Sequence, residues 1–161
     1  GLAAMNYTGV TGAVLQMFNH GVSSAMLFFI VGVIYDRAHH RDLTRFGGIG
    51  LQMPWYTGIA TVGFFASLGL PGLNGFVSEF LCFRGAYDFT EGVGSLITIP
   101  GKGIASPWIV YVSLLGIVLA AVYILWTIQR VYLGNVKREE YKRFPDITFR
   151  ETLVLAPLAF L

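Results

Sequence analysis

The sequence predicts an all-α fold, a polytopic transmembrane helix bundle that contains one discontinuous helix. Of its 161 residues, 55% are hydrophobic and only 12% are charged, which is about half the charged fraction of a soluble domain. The apolar stretches are long enough for helices that cross a bilayer, at about 20 residues each, and they lack the alternation of barrel strands. Glycines and a proline interrupt one stretch, and this predicts the discontinuity.

Five helical segments are expected within a single membrane domain. They are the end of one helix at 1–5, a helix over 10–35, a broken helix over 55–87, a helix over 108–133 and the start of a further helix over 153–161. A short turn is expected at 6–9, where Asn and Gly act as helix breakers. Because the chain begins and ends inside apolar sequence, we expect it to be a piece of a longer protein.

The broken helix is interrupted at Pro71 and Gly72, with further glycines on both sides. Proline lacks a backbone donor and clashes with the preceding turn, so the helix is expected to stop near Leu70 and to restart near Asn74. Lipid offers no hydrogen bonds to the backbone groups that such a break frees. The break is therefore expected to be covered by protein or to face a water-filled cavity.

Two ionisable residues lie inside apolar sequence and are the candidates for chemistry. Glu79 follows the break and is itself followed by apolar residues, and His20 shares one face of its helix with Ser23 and Ser24. An ionisable residue at membrane depth suggests function, here a proton relay through Glu79 and His20. The alternatives are a Pro kink that turns Glu79 to solvent, and a neutral His20 that binds a serine or a backbone carbonyl.

The distribution of charge predicts the topology. The loops at 36–45 and 137–150 carry three and five of the eleven Lys and Arg residues, whereas the Gly-rich segment at 88–107 carries one. The two basic loops are therefore expected on the cytoplasmic side, with Glu79 in the outer half of the bilayer. Within the Gly-rich segment, residues 95–99 form a short β-like run that predicts a strand.

The helix over 108–133 carries a second polar face. Tyr123, Trp126 and Arg130 recur at i, i+3 and i+7 on this helix. They either line a path, in which case Tyr123 joins Ser23 and Ser24 as a lining residue, or form a packing stripe that ends in an interfacial arginine.

The sequence contains no pattern for a bound metal or cofactor. Its single cysteine, Cys82, excludes an internal disulfide and a cysteine cluster. His39 and His40 are adjacent, so they do not share a helical face and make a poor metal site. Motifs for nucleotide binding, for nucleophilic serine and for HExxH zinc sites are absent, so we expect no bond chemistry on this chain. The net charge of +2 gives no indication of nucleic acid.

Three blocks of sequence carry a family resemblance. They are NHGVSSAMLF at 19–28, YDRAHHRD at 35–42 and FASLGLPGLNGFVSEF at 65–80. In this order they closely resemble the antiporter-like membrane subunit M, or chain 4, of respiratory complex I, the proton-translocating NADH:quinone oxidoreductase. The related antiporter-like subunits usually carry Lys at the position of Glu79, so this residue favours subunit M.

The resemblance implies a fourteen-helix subunit of which this chain is a C-terminal fragment. It implies that Glu79 is the terminal proton site toward the outside and that His20 belongs to the central hydrophilic axis. This chain would then supply part of a half-channel toward the outer side. The protein would be a non-redox subunit of the enzyme. Its partners would be other membrane-arm subunits, including its antiporter-like paralogues, together with protons and the lipid bilayer, with no nucleic acid.

The resemblance also implies that this chain holds no cofactor, since NADH, FMN, iron-sulfur clusters and quinone would be used on other subunits. The expected location is the bacterial inner membrane. An alternative is a subunit of a multi-subunit sodium/proton antiporter, which works without NADH. A third hypothesis is a structural membrane scaffold whose polar residues only join helices.

Overall fold

The computed structural model describes residues 1–91 and 108–160. These residues form six α-helices: α1 (Tyr7–Ala38), α2 (Ile49–Gln52), α3 (Pro54–Leu68), α4 (Asn74–Thr90), α5 (Trp108–Val131) and α6 (Phe149–Phe160). Short 3₁₀ turns lie at Leu2–Ala4 and Glu139–Arg143. The predicted helical class, including the discontinuous helix, is thus confirmed. The strand predicted at residues 95–99 lies outside the described residues.

Helix α1 begins earlier than the sequence predicts because Asn6 caps it. The Gly9 amide donates to Asn6 Oδ1 at 2.7 Å, which satisfies one of the free amides at the helix start. The turn predicted at residues 6–9 is therefore wrong, since the helix has already started at Tyr7. At its other end α1 continues to Ala38, three residues beyond the expected end at 35.

Two of the helices are long and apolar enough to cross a membrane. They are α1, with 32 residues and a mean hydropathy of 1.7, and α5, with 24 residues and a mean hydropathy of 2.5. Helices α3 and α4 have 15 and 17 residues, so each is shorter than the roughly 20 residues that span a bilayer. This is the expected result of interrupting one membrane-length segment.

The chain divides into two compact units. The first comprises Gly1–Gly21 and Leu68–Ala120, and the second comprises Val22–Ser67 and Ala121–Leu161. In the first unit, α4 packs closely on the start of α1, since a Cβ built on Gly12 would lie 2.7 Å from the Cys82 amide nitrogen. On the outer surface of α4, Arg84 pairs with Asp88 at 2.9 Å, as their spacing of four residues predicts.

In the second unit, the two basic loops contact one another. His40 Nε2 lies 2.8 Å from the Tyr141 hydroxyl, and Lys137 Nζ donates to the Thr44 carbonyl at 3.1 Å. The backbones of the two segments also lie close together at Gly48, where an added Cβ would lie 2.5 Å from the Val136 nitrogen. The predicted topology requires both loops on one side of the membrane, and these contacts agree with that requirement.

Helix α6 starts at Phe149, before the expected residue 153, because Thr148 and Glu151 form a capping box. The Thr148 amide donates to Glu151 Oε2 at 2.7 Å, and the Glu151 amide donates to Thr148 Oγ1 at 3.4 Å. Arg37, in the last turn of α1, adds two hydrogen bonds of 2.8 Å to the Glu151 carboxylate. The Arg37 guanidinium and the Thr148 donors lower the pKa of Glu151 from its usual 4.5 to about 2.

We expect Glu151→Gln to lower the thermal stability of the full-length protein at pH 7. A carboxylate whose pKa is lower in the folded than in the unfolded protein stabilises the fold above pH 4.5, and this contribution disappears as the pH falls toward 2. The stability difference from wild type should therefore shrink below about pH 4.5. Melting curves across pH test this, with Glu140→Gln as a control because that side chain is 59% exposed. A pH-independent difference would contradict the prediction.

Candidate functional site

The break between α3 and α4 is a five-residue segment with unusual backbone conformation. Gly69 and Gly72 have positive φ angles of 74° and 95°, a region that residues with a Cβ rarely adopt. The Leu73 amide donates to the Leu70 carbonyl at 3.0 Å, which closes a turn around Pro71. Pro71 and Gly72 are both exposed, and α4 begins at Asn74, where the sequence predicts the restart.

The carboxylate of Glu79 lies against the backbone of this break. A Cβ built on Gly69 would lie 2.5 Å from Glu79 Oε2 and 3.1 Å from Oε1, so only glycine leaves room for the carboxylate here. The Glu79 side chain is half-buried. Among the described residues, no Lys, Arg or His forms a salt bridge with it. The arrangement presents one acid, without a neutralising cation, at an interrupted helix.

A buried polar cluster lies beside Glu79, between α1 and the first turns of α4. Asn19 Nδ2 donates to the Asn74 carbonyl at 2.6 Å and to Ser78 Oγ at 2.9 Å. The Ser78 hydroxyl lies 2.5 Å from Gln16 Oε1 and 2.9 Å from the Gly75 carbonyl, and it can donate to one of them at a time. Asn19 and Ser78 are 5% and 0% exposed. These bonds join the start of α4 to α1.

Sequence reasoning missed this polar cluster, although a signal was present. Gln16 and Asn19 are spaced i, i+3 in an apolar helix, and Asn74 and Ser78 are spaced i, i+4, so each pair shares one helical face. Asn74 Oδ1 is buried and has no hydrogen-bond partner among the described residues.

The other predicted site residues lie on α1 and α5. His20 follows Asn19 directly on α1, and its side chain is exposed. Ser23 and Ser24, one turn further along α1, are half-buried. Tyr123 on α5 is 59% exposed. The cluster therefore contains Asn19 and Ser78, which directly precede His20 and Glu79 in the sequence.

The remaining candidates on α5 and in the first basic loop have packing partners. The Arg130 guanidinium lies 5.1 Å from the centre of the Trp126 ring. His40 stacks on Phe46 with a ring-centre distance of 4.6 Å. Within residues 1–91 and 108–160, no three His, Cys, Asp or Glu side chains converge in a way that could hold a metal ion.

A sequence model for the transmembrane region of NADH:quinone oxidoreductase/Mrp antiporter proteins matches residues 1–105, which include α1, the break and α4. The chain belongs to this family. The match places both Glu79 and the polar cluster in the part of the chain that defines membership.

Relatives within the family extend the similarity over nearly the whole chain. NADH-quinone oxidoreductase subunit M of Rhodobacter capsulatus is 38% identical over 158 residues, which cover 98% of this chain and 28% of that protein. The subunit M of Rickettsia felis is 35% identical over 161 residues, which cover all of this chain and 29% of that protein. The chain thus spans less than a third of the length of these relatives.

A solved structure shows the same fold. A chain of respiratory complex I from Thermus thermophilus with bound NADH superposes with a TM-score of 0.79 at 25% sequence identity. The superposition covers 98% of this chain and 29% of that chain. The helical fold is therefore that of a complex I membrane subunit.

Proposed function

We propose that the whole protein is a proton-translocating membrane-arm subunit of an NADH:quinone oxidoreductase, and that this chain supplies part of a half-channel toward the outer side. The observation that carries the proposal is the Glu79 carboxylate, which lies against Gly69 in the helix break without a cationic partner among the described residues. A carboxylate with no fixed counter-charge can take up and release a proton, which a permanently paired one does poorly. The similarity to subunit M supports the same role.

In this proposal the proton passes through Glu79 and His20. The polar cluster around Asn19 and Ser78 holds the start of α4 against α1, which keeps Glu79 at the break. His20, next to Asn19, exchanges the proton with the central part of the membrane arm. Ser23, Ser24 and Tyr123 line the path, and their hydroxyl groups both donate and accept hydrogen bonds.

The wider setting follows from the same proposal. The chain forms part of a single membrane domain in a longer subunit, and it contacts other membrane-arm subunits, including antiporter-like paralogues. It performs no redox step, since NADH oxidation and quinone reduction occur on other subunits. The basic loops face the cytoplasm of a bacterium, and the membrane is the inner membrane.

Replacing Glu79 with glutamine in the complete complex tests the proposal. Glutamine keeps the size and hydrogen-bonding capacity of the side chain but cannot ionise, so proton pumping and the quinone reduction coupled to it should fall together. Glu79→Asp keeps an ionisable group and should retain part of the pumping. Proton uptake into inverted vesicles, measured at matched amounts of assembled complex, gives the result. Unchanged pumping by Glu79→Gln would support the structural scaffold instead.

The family description also names Mrp antiporters, so a sodium/proton antiporter subunit is the second candidate function. The two functions differ in their driving force. In vesicles that contain the full-length protein and its native partners, NADH should acidify the lumen if the protein belongs to the oxidoreductase. A sodium gradient that moves protons without NADH would favour the antiporter.

A further inference from the structure

A cavity of about 330 Å³ lies at the C-terminal end of α5, in the second unit. Its polar lining includes two cations, Arg130 and Lys137, and two amide side chains, Gln129 and Asn135. None of the described residues that line it is acidic. A cavity with two positive charges and no negative one favours an anionic ligand.

Arg130, which lines this cavity, has an unused donor. Its Nε is buried and has no hydrogen-bond partner among the described residues, although a guanidinium carries five N–H donors in a fixed fork. The group is held in place by the ring of Trp126, 5.1 Å from the guanidinium carbon. A buried donor without a partner is costly, and the oxygens of a phosphate group match the guanidinium fork.

Lys137 is also held at the cavity. Its alkyl chain packs on the backbone of Gly47, where an added Cβ would lie 3.0 Å from Lys137 Cγ and Cε. Its ammonium group donates one hydrogen bond, of 3.1 Å, to the Thr44 carbonyl, and an ammonium has three donors. These two contacts hold the side chain in place, and two donors of the ammonium group remain for a ligand.

The helix dipole does not prevent an anion from binding here. The C-terminus of α5 carries a partial charge of about −0.5, whereas the two side chains carry two full positive charges. Carbonyl groups at that end are already bound, because the Gly50 amide donates to the Tyr132 carbonyl at 2.9 Å and the Gly48 amide donates to the Leu133 carbonyl at 3.1 Å. The net charge at the cavity is positive.

Apolar surface continues from the cavity along α5. Leu133 and Trp126, which line the cavity, are 55% and 47% exposed, and Val122 one turn earlier is 62% exposed. Helix α5 is one of the two described helices that are long and apolar enough to cross a membrane, so its exposed apolar surface is suited to contact acyl chains. A ligand that places a phosphate between the cations can therefore lay a hydrocarbon chain on the same helix.

We propose that this cavity binds the phosphate head group of an anionic phospholipid, with Arg130 and Lys137 as its ligands. The lipid is favoured over a free phosphate ion because the cationic cavity opens onto exposed apolar surface of a membrane-length helix. Basic pockets at the cytoplasmic ends of transmembrane helices commonly recognise anionic head groups. None of the described residues that line the cavity is Glu79 or His20, the two residues through which the proposed proton path runs.

The test uses the full-length protein in nanodiscs that contain equal amounts of phosphatidylglycerol and phosphatidylcholine. After extraction into detergent, native mass spectrometry counts the lipids that remain bound. Wild type should retain phosphatidylglycerol in preference to phosphatidylcholine. Since each basic residue near an anionic lipid surface changes binding about fivefold, Arg130→Gln with Lys137→Gln should reduce retention roughly thirtyfold.

The matched control is Lys142→Gln with Arg143→Gln, which removes the same charge from exposed residues of the same loop. This control should retain phosphatidylglycerol like wild type; an equal loss in both double variants would overturn the proposal in favour of a general surface potential. If wild type bound inorganic phosphate but retained phosphatidylglycerol no better than phosphatidylcholine, the lipid assignment would be overturned. If the double variant does not fold, Lys137→Gln alone should show about a fivefold loss, and no loss would overturn the proposal.

Discussion

The Gly69→Ala protein is expected to unfold at a lower temperature than wild type and to lose proton pumping in the complete complex. Gly69 has a φ of 74°, and a residue with a Cβ costs about 1–2 kcal/mol in this conformation. The new Cβ would also lie 2.5 Å from Glu79 Oε2 and 2.9 Å from Cδ, so the carboxylate has to move. Together the two effects should cost about 2–4 kcal/mol.

Gly72→Ala is the matched control for this change. Gly72 lies in the same break and has a positive φ of 95°, but a Cβ built on it has no atom within 4 Å. Gly72→Ala should therefore show the backbone strain alone and keep Glu79 in place. Thermal unfolding of the full-length protein, together with proton pumping by the assembled complex, separates the two effects. Equal loss of pumping in both variants would show that strain in the break, and not displacement of Glu79, is responsible.

The break was predictable from sequence because its causes are local. Pro71 removes a backbone donor and clashes with the preceding turn, and the neighbouring glycines allow positive φ. The end at Leu68 and the restart at Asn74 therefore fall within two residues of expectation. Glu79 was identified because one carboxylate stands out in an apolar stretch. The contact between Gly69 and Glu79 was not predictable, since it depends on how the chain turns through the break.

The polar cluster was not predictable because it depends on long-range packing, whereas the two helix starts have local signals in the sequence. Asn19 and Ser78 are 59 residues apart, and their bond depends on the register of α1 against α4, which no local pattern gives. Asn6 was interpreted as a helix breaker, but the same residue type is a strong N-cap when its side-chain oxygen meets a free amide. The capping box formed by Thr148 and Glu151 is a local sequence signal for a helix start, and α6 accordingly begins at Phe149 and not at residue 153.

Replacing Gly85 with alanine is expected to separate α4 from the start of α1 and to cause a large loss of stability. A Cβ on Gly85 would overlap the backbone of Gly9, at its Cα and nitrogen atoms, and a helix backbone cannot yield as a flexible side chain does. The shift would also break the 2.7 Å bond from Asn6 Nδ2 to the Gly85 carbonyl. Overpacking costs about 1–3 kcal/mol and a disturbed cap about 1 kcal/mol, so we expect a loss of about 2–4 kcal/mol.

Two further variants separate the contributions to this close approach. Asn6→Ala removes the bond to Gly85 and the cap on Gly9 without adding volume, so it should destabilise the protein by about 1–2 kcal/mol. Gly116→Ala on α5, where a Cβ meets no described atom within 4 Å, should leave stability unchanged or slightly higher. Thermal and denaturant unfolding of the purified full-length protein give these values. If Gly85→Ala were no more destabilising than Asn6→Ala, the hydrogen bonds of Asn6 would account for the junction of α1 and α4, and close backbone packing would contribute little.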